Sequence, residues 1–294
     1  MVWCENAYDS TKYECDTSTE YFSSDTECYS TDTEYEENNT YPAILHCVVA
    51  SNLTLESGIH VTAIPDSGCD ITTISEDITK KIGVRVLRTQ TQLLDATGAR
   101  IELAGQSVIY VKVAGVSTKR LKVVVEKNQY NHLTISYRDL ITLRVLAPNF
   151  PNQVNDLEAP LLPHPNGNPS TTPLLPCTVY MKKRIIHQGK IMYKCHVNAV
   201  PDSGCSGGTF ISKSFACRTN IDYVWEGTQQ WVANNTIDKI LGYAFITIEV
   251  DGIAKMPIHR KVAVVNICDD MLLSWGDLIA LGVLPDDFPN PAPE

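Results

Sequence analysis

The segment Ala63-Ile64-Pro65-Asp66-Ser67-Gly68-Cys69 occurs twice in this chain, the second time as Ala199-Val200-Pro201-Asp202-Ser203-Gly204-Cys205. Each copy follows a short run of alternating or apolar residues. This pattern predicts a β-strand that leads an Asp into a tight turn containing Gly. One Asp-Ser-Gly is a weak signal, but two copies with the same flanking residues indicate a duplicated domain. Each half then contributes one Asp.

Matching positions after the two Asp residues extend the repeat over both halves. The Asp residues lie 136 positions apart (202 − 66), and Gly105 and Gly242 lie 137 apart (242 − 105). The Phe-Pro-Asn segments at 150–152 and 288–290 lie 138 apart (288 − 150). Solenoid repeats have periods of roughly 20–50 residues, so this spacing predicts two small domains in series. A chain of 294 residues is also long enough for two domains.

The negative charge is concentrated at the N-terminus. Residues 1–42 hold 11 acidic residues and one Lys, whereas the remaining residues hold 23 acids and 23 bases. With so few aliphatic residues, 1–42 is predicted to be a disordered acidic tail. It is either a partner-docking, phosphorylatable segment or a solubilising leader. The neutral remainder carries no basic stripe, which predicts no direct contact with nucleic acid.

Composition also bears on location and on bound groups. No apolar run reaches the ~18 residues that span a bilayer, and the start of the chain lacks the features of a signal peptide. We therefore expect a cytoplasmic protein with no membrane partner. The ten Cys residues form no Cys-x-x-Cys pair, and no His lies at zinc-finger spacing. This predicts no metal or cofactor, and thiols that stay reduced.

The periodicity predicts mostly β lobes at 43–152 and 174–290, with a Pro-rich linker at 153–173 between them. Strands precede each Asp, and each lobe ends in a short helix, at about 137–144 and 275–281. A further helix is indicated at 75–83 by its Ser start, early acids, late lysines and final Gly. Hairpins are predicted at 93–101 and 230–238, with Asn235 at the position of Gly98.

This order of elements resembles the retropepsins, the aspartic proteases of retroviruses and long-terminal-repeat retrotransposons. The C-terminal stretch from Leu272 to Pro289 looks most like protease segments of Gypsy- or Pao-type retrotransposon polyproteins. The resemblance covers both lobes, but neither the tail nor the linker. Family members usually supply one lobe per chain and act as homodimers. The resemblance therefore implies a mostly β protein with two retropepsin-like β-barrel lobes, each with a short C-terminal helix, arranged as a single-chain pseudo-dimer.

The resemblance also implies roles for particular residues. Asp66 and Asp202 would form the catalytic dyad and share one proton, as in aspartic proteases generally. The ionised Asp would activate a water, and the protonated Asp would polarise the scissile carbonyl. The supporting residues around the dyad would be Ser67, Gly68, Ser203 and Gly204. The two flaps that close over the substrate would carry Ala96, Thr97, Gly98, Ala233, Asn234 and Asn235.

The chain departs from the family pattern at several positions. Cys69 and Cys205 stand where many members have Ala, and Tyr137 and Trp275 stand where the usual residue is Gly. Retroviral members also pair an Asp four residues after the catalytic Asp with an Arg at the start of the last helix. Lobe one keeps this structural pair, as Asp70 and Arg138. Lobe two lacks both partners, with Ser206 and Gly276 in their places; losing both avoids leaving one charge unpaired.

We expect an aspartic endopeptidase that cleaves extended peptide segments, including its own retrotransposon polyprotein. Three other interpretations stay open. The chain could be an inactive pseudoprotease that serves as a peptide-binding or structural module. The two Asp residues could be solvated turn residues, or Cys69 or Cys205 could act as a nucleophile. Self-association is a further possibility, because lobes could pair within one chain or between chains.

Overall fold

A computed structural model describes residues 43–96, 98–127, 132–151, 173–185, 189–224, 229–231, 237–267 and 269–290. The predicted acidic tail at 1–42 and all but the last residue of the predicted linker at 153–173 lie outside these ranges. No helix within the described ranges is long and apolar enough to cross a membrane.

Lobe 1 is a closed β-barrel followed by a short helix. Its elements are β1 (Leu45–Ala50), β2 (Ile59–Asp66), β3 (Thr73–Ser75), α1 (Glu76–Ile82), β4 (Leu93–Leu94), β5 (Arg100–Ile101), β6 (Leu103–Val113), β7 (Lys119–Glu126), β8 (Leu133–Ser136) and α2 (Tyr137–Thr142). The barrel has the strand order β1-β2-β8-β3-β7-β6. Strand β6 alternates between buried and more exposed residues, which is the pattern of a sheet with one face on the core.

Lobe 2 repeats this plan. Its elements are β9 (Leu175–Ile185), β10 (Gly189–Asp202), β11 (Phe210–Ser212), α3 (Lys213–Thr219), β12 (Gln229–Trp231), β13 (Ile237–Lys239), β14 (Gly242–Val250), β15 (Ile258–Val265), β16 (Met271–Ser274) and α4 (Trp275–Ala280). The closed barrel has the order β10-β16-β11-β15-β14-β9. One cluster of buried apolar residues includes members from both barrels. The mostly β, two-barrel fold predicted from the sequence is therefore confirmed.

Local signals account for the first helix of each lobe. Ser75 caps α1 by accepting a hydrogen bond from the Ile78 N–H, and Gly83 ends the helix at φ 69°. In lobe 2, Ser212 accepts from the Phe215 N–H, and Asn220 ends α3 at φ 60°. Gly and Asn are the residues that best tolerate this left-handed conformation. The predicted helix at 75–83 is confirmed, whereas α3 was not predicted from the sequence.

Each Asp-bearing strand lies beside a short strand that the sequence analysis did not predict. Strand β2 runs parallel to β8, with Asp66 opposite Ser136. Strand β10 runs parallel to β16 in the same way, with Asp202 opposite Ser274. Each short strand continues directly into the final helix of its lobe. The parallel pairing therefore fixes the position of each Asp relative to the final helix of its lobe.

Both predicted hairpins are present. In lobe 1, β4 and β5 pair with Leu93 opposite Ile101. In lobe 2, β12 and β13 pair with Gln229 opposite Lys239. The predicted flap residues Ala96 and Gly98 lie in the turn of the first hairpin. Thr97, and the lobe 2 flap residues Ala233, Asn234 and Asn235, lie outside the described residues.

Candidate active site

Two serines join the lobes through reciprocal hydrogen bonds. The Ser67 hydroxyl donates to the Pro201 carbonyl (2.5 Å), and the Ser203 hydroxyl donates to the Pro65 carbonyl (2.8 Å). The Ser203 hydroxyl also accepts a bond from the Ser67 N–H (2.9 Å), and the Ser67 hydroxyl accepts one from the Ser203 N–H (3.0 Å). Both side chains are fully buried. These four bonds hold the two Asp-Ser-Gly turns against each other.

The glycines bring the two turns close enough for the carboxyl groups to meet. A Cβ atom added at Gly68 would lie 3.0 Å from Cγ of Asp202, and one at Gly204 would lie 2.8 Å from Cγ of Asp66. Neither glycine has a positive φ. The need for Gly therefore comes from the approach of the opposite Asp, and not from the backbone conformation of the turn.

The two carboxyl groups are hydrogen-bonded to each other. Burial, the neighbouring Asp202 charge and this hydrogen bond raise the pKa of Asp66 well above its usual range, against the opposing effect of the backbone N–H groups of Gly68 and Cys69. Burial also raises the pKa of Asp202, although the hydrogen bond from Asp66 and the N–H groups of Gly204 and Cys205 lower it in part. The two carboxyl groups therefore titrate as a coupled pair, in which one group keeps a proton while the other is ionised.

Backbone donors orient each carboxylate. The Gly68 N–H donates to Oδ1 of Asp66 at 2.9 Å, and the Gly204 N–H donates to Oδ1 of Asp202 at 3.0 Å. Both Asp residues are partly exposed. Such a pair can polarise a bound carbonyl with one carboxyl and accept a proton from water with the other.

A hydrogen-bonded Thr–Asp pair next to each Asp-Ser-Gly turn was missed by the sequence analysis. The Thr72 hydroxyl donates to Oδ2 of Asp139 at 2.5 Å, and the Thr209 hydroxyl donates to Oδ2 of Asp277 at 2.5 Å. Each pair ties the segment after the dyad turn to the final helix of its lobe. Arg260 adds an ion pair to Asp277 at 2.5 Å. The repeat contained the signal, because both Thr (209 − 72 = 137) and Asp (277 − 139 = 138) recur at the spacing of the lobes.

The other residues singled out from the sequence lie around this centre. Asp70 and Arg138 are both exposed, and their pairing stays a prediction. The Cys69 thiol lies 3.0 Å from the Ile71 carbonyl, and the Cys205 thiol lies 3.3 Å from the Gly208 carbonyl. Burial raises the pKa of both thiols. They are therefore held in the protonated form, which is a poor nucleophile.

Tyr137 and Trp275, which stand where retropepsins usually have Gly, begin the final helices of the two lobes, directly after β8 and β16. Tyr137 is buried, and its hydroxyl donates to the Phe150 carbonyl at 2.9 Å. Trp275 has a buried Nε1 with no hydrogen-bond partner in the described part of the chain. Within the same part, no cluster of three or more His, Cys, Asp or Glu residues is arranged to hold a metal ion.

Comparison with known proteins adds no family assignment. No protein-family model matches the chain, and no curated protein is significantly similar to it. Function therefore has to be argued from the residues and their geometry.

Proposed function

We propose that this protein is an aspartic endopeptidase that hydrolyses extended peptide segments with the Asp66–Asp202 dyad. The observation that carries the proposal is geometric: reciprocal serine bonds join the Asp-Ser-Gly turns of the two lobes, and each Asp lies against the glycine of the opposite turn. This geometry argues against two independent, solvated turn residues, because such residues would not be joined by buried hydrogen bonds between the lobes. The resemblance to retropepsins supports a polyprotein substrate, and the six cysteines in the described ranges, none of which is in a disulfide, fit action in the reducing cytoplasm.

The proposed reaction uses each carboxyl group differently and is written for the form of the dyad in which Asp66 carries the shared proton. Asp202 takes a proton from a water molecule, and the water oxygen attacks the carbonyl carbon of the scissile peptide bond. Asp66 donates its proton to the carbonyl oxygen, which gives a neutral tetrahedral diol. Asp202 then passes its proton to the amide nitrogen, and a diol hydroxyl returns a proton to Asp66 as the C–N bond breaks. The dyad ends in its starting state.

The proposal is tested by peptide-library cleavage with the wild type, Asp66→Asn and Asp202→Asn. Each substitution keeps the shape of the side chain but removes the shared proton or the charge. We expect each to lower kcat/KM at least about 1,000-fold, because the two groups act as one unit. Asp222→Asn is a matched control, since Asp222 is exposed and lies outside both Asp-Ser-Gly turns. It should leave kcat/KM unchanged.

A mixture of the two inactive variants separates pairing within one chain from pairing between chains. If both Asp residues of one site come from the same chain, the mixture stays inactive. If the lobes exchange between chains, some sites contain two intact Asp residues and activity returns. If wild-type protein cleaves no peptide between pH 3 and 8, the chain is not a protease, and peptide binding without cleavage replaces the proposal.

A further inference from the structure

A two-stranded β-ribbon extends from the lobe 2 barrel. Strand β9 pairs with β10 along its whole length. The barrel strand β14 pairs with β9 only as far as Tyr180, and β16 pairs with β10 only from Val200 onward. Residues 181–185 and 189–193 are therefore paired, among the strands that the structure describes, with each other alone. We call these two segments the ribbon.

Lobe 1 has no such extension. Leu45 pairs with Ala63, 18 residues further along the chain (63 − 45), whereas the equivalent pair in lobe 2, Leu175 and Ala199, is separated by 24 residues (199 − 175). The lobe 2 hairpin is therefore six residues longer (24 − 18). The strands of lobe 1 close into a barrel in the same order without this addition. The barrel fold itself therefore does not require the ribbon.

All charged residues of the ribbon are basic. They are Lys182, Lys183 and Arg184 on β9, and Lys190 on β10. Along the whole of β9 and β10 the only acid is Asp202 of the dyad, at the far end of β10. The prediction of no contact with nucleic acid used the overall balance of acids and bases, and that balance does not hold in this part of the chain.

The strand register places these charges on both faces of the ribbon. Arg184 lies opposite Lys190. Residues opposite one another in an antiparallel pair share a face, as do alternate residues of one strand. Lys182, Arg184 and Lys190 therefore lie on one face, and Lys183 lies on the other. Each strand of the ribbon is about 17 Å long, at about 3.3 Å per residue.

Two acids of the neighbouring part of the barrel lie at the base of the hairpin. Glu249 lies opposite Thr178, four residues before Lys182 (182 − 178), which is about 13 Å along the strand. Asp251 comes directly after β14, and its carboxylate lies 3.7 Å from Nδ1 of His196. The positive charge of the ribbon is therefore separated along the strands from both carboxylates.

We propose that the ribbon binds duplex DNA by entering the major groove. This groove is about 12 Å wide and admits a two-stranded β-ribbon. A phosphate backbone borders it on each side, so positive charge on both faces of the ribbon fits this setting. Lys and Arg contact phosphates independently of sequence. A membrane or another flat anionic surface would meet one face of the ribbon and would not use Lys183.

The test measures the affinity of the full-length chain for a labelled DNA duplex of about 24 base pairs, by fluorescence anisotropy at several salt concentrations. Four phosphate contacts predict that log K falls with log[salt] with a slope of about −3.6, a loss of roughly 100-fold between about 0.05 M and about 0.2 M salt. Lys182→Gln/Arg184→Gln removes two of these contacts. It should lower the affinity at least about tenfold and make the slope shallower by about 1.8.

Two further variants locate the contact. Lys183→Gln changes the second face of the ribbon, and it should make the slope shallower by about 0.9. Arg120→Gln/Lys122→Gln is the matched control, because it removes the same two residue types at the same spacing from exposed positions of β7 in lobe 1. It should leave both the affinity and the slope unchanged. These measurements do not involve the dyad, so they stand or fall separately from the proposed peptide cleavage.

The proposal is overturned if the wild type does not bind the duplex at the lower salt, or if the lobe 1 control loses as much affinity as Lys182→Gln/Arg184→Gln. An unchanged slope in Lys183→Gln, or equal binding of a single strand of the same length, would overturn the placement in a groove. Tighter binding of polyglutamate, or of vesicles that contain phosphatidylserine, than of the duplex would also overturn it, since the ribbon would then serve an acidic peptide or a membrane.

Discussion

The reciprocal serine bonds give the most direct prediction about how the two lobes are held together. Replacing Ser67 by Ala removes its hydroxyl bonds to the Pro201 carbonyl and from the Ser203 N–H. Both groups lie in a fully buried network, so both lose their partner without gaining water. A buried polar group left without a partner costs about 1–3 kcal/mol. Two such groups should lower the free energy of unfolding by about 2–6 kcal/mol.

The equivalent change in lobe 2 should have an equal effect. Ser203→Ala removes the bonds to the Pro65 carbonyl and from the Ser67 N–H. Since the two sets of bonds correspond one to one, the two losses should agree within about 1 kcal/mol. Ser107→Ala is the control, because Ser107 is also buried but makes one bond within its own lobe, to the Arg85 carbonyl. It should cost about 1 kcal/mol.

Urea-induced unfolding, followed by tryptophan fluorescence and circular dichroism, measures these differences. For a folded region of this size, a loss of 2 kcal/mol corresponds to a fall in Tm of at least about 4 °C. Thr at either serine position should keep most of the stability, because its hydroxyl can make the same bonds. If either inter-lobe Ala variant is no less stable than Ser107→Ala, then the serine network does not hold the lobes together.

Three further predictions follow from the site. Asp277→Asn should lower the free energy of unfolding by about 1–2 kcal/mol, because Arg260, which is partly exposed, loses its charged partner. Asp139→Asn in lobe 1 should lower it by less than about 1 kcal/mol, because burial already raises the pKa of that carboxyl and an amide oxygen can accept from the same Thr72 hydroxyl. Equal losses of the two variants in urea unfolding would contradict this. Trp275→Tyr should be about 1 kcal/mol more stable than Trp275→Phe, because the Tyr hydroxyl would donate to the Phe288 carbonyl, as the Tyr137 hydroxyl donates to the Phe150 carbonyl in lobe 1. Equal melting temperatures of the two variants would count against that bond. Peptide cleavage should show a bell-shaped pH profile: rising pH removes the shared proton, whose pKa is raised by burial and by the neighbouring carboxyl, and falling pH protonates the second carboxyl and so removes the catalytic base. A rate that still rises beyond neutral pH would contradict the dyad.

Features of the fold that depend on neighbouring residues in the chain could be predicted from the sequence. The two Asp-Ser-Gly turns, the caps of α1 and the hairpins β4–β5 and β12–β13 all depend on residues close together in the chain. The parallel strands β8 and β16 were not predicted, because the sequences Leu-Thr-Ile-Ser and Met-Leu-Leu-Ser are too short for periodicity to distinguish a strand from the start of a buried helix.

The bonds that depend on distant residues were also missed, although part of their signal was present. Thr72 and Asp139 lie 67 positions apart, and Thr209 and Asp277 lie 68 apart. Within one lobe, nothing in the sequence brings such residues together. The recurrence of both at the spacing of the repeat was the only indication, and it became meaningful once the barrels placed them in contact. Arg260 has no such counterpart, so its ion pair could be found only from the structure.

The duplication explains why the two lobes agree at some positions and differ at others. At the lobe interface, each serine bonds to the opposite lobe and each glycine lies against the opposite Asp. A substitution in one lobe therefore alters contacts of the other lobe as well. On the outer faces no such constraint acts, and Lys112 and Glu249 occupy equivalent positions with opposite charge. In a symmetric homodimer every substitution appears in both lobes, so equivalent faces always carry the same charge. Fusing the lobes into one chain removes that limit, so equivalent positions of the two lobes can carry different charges.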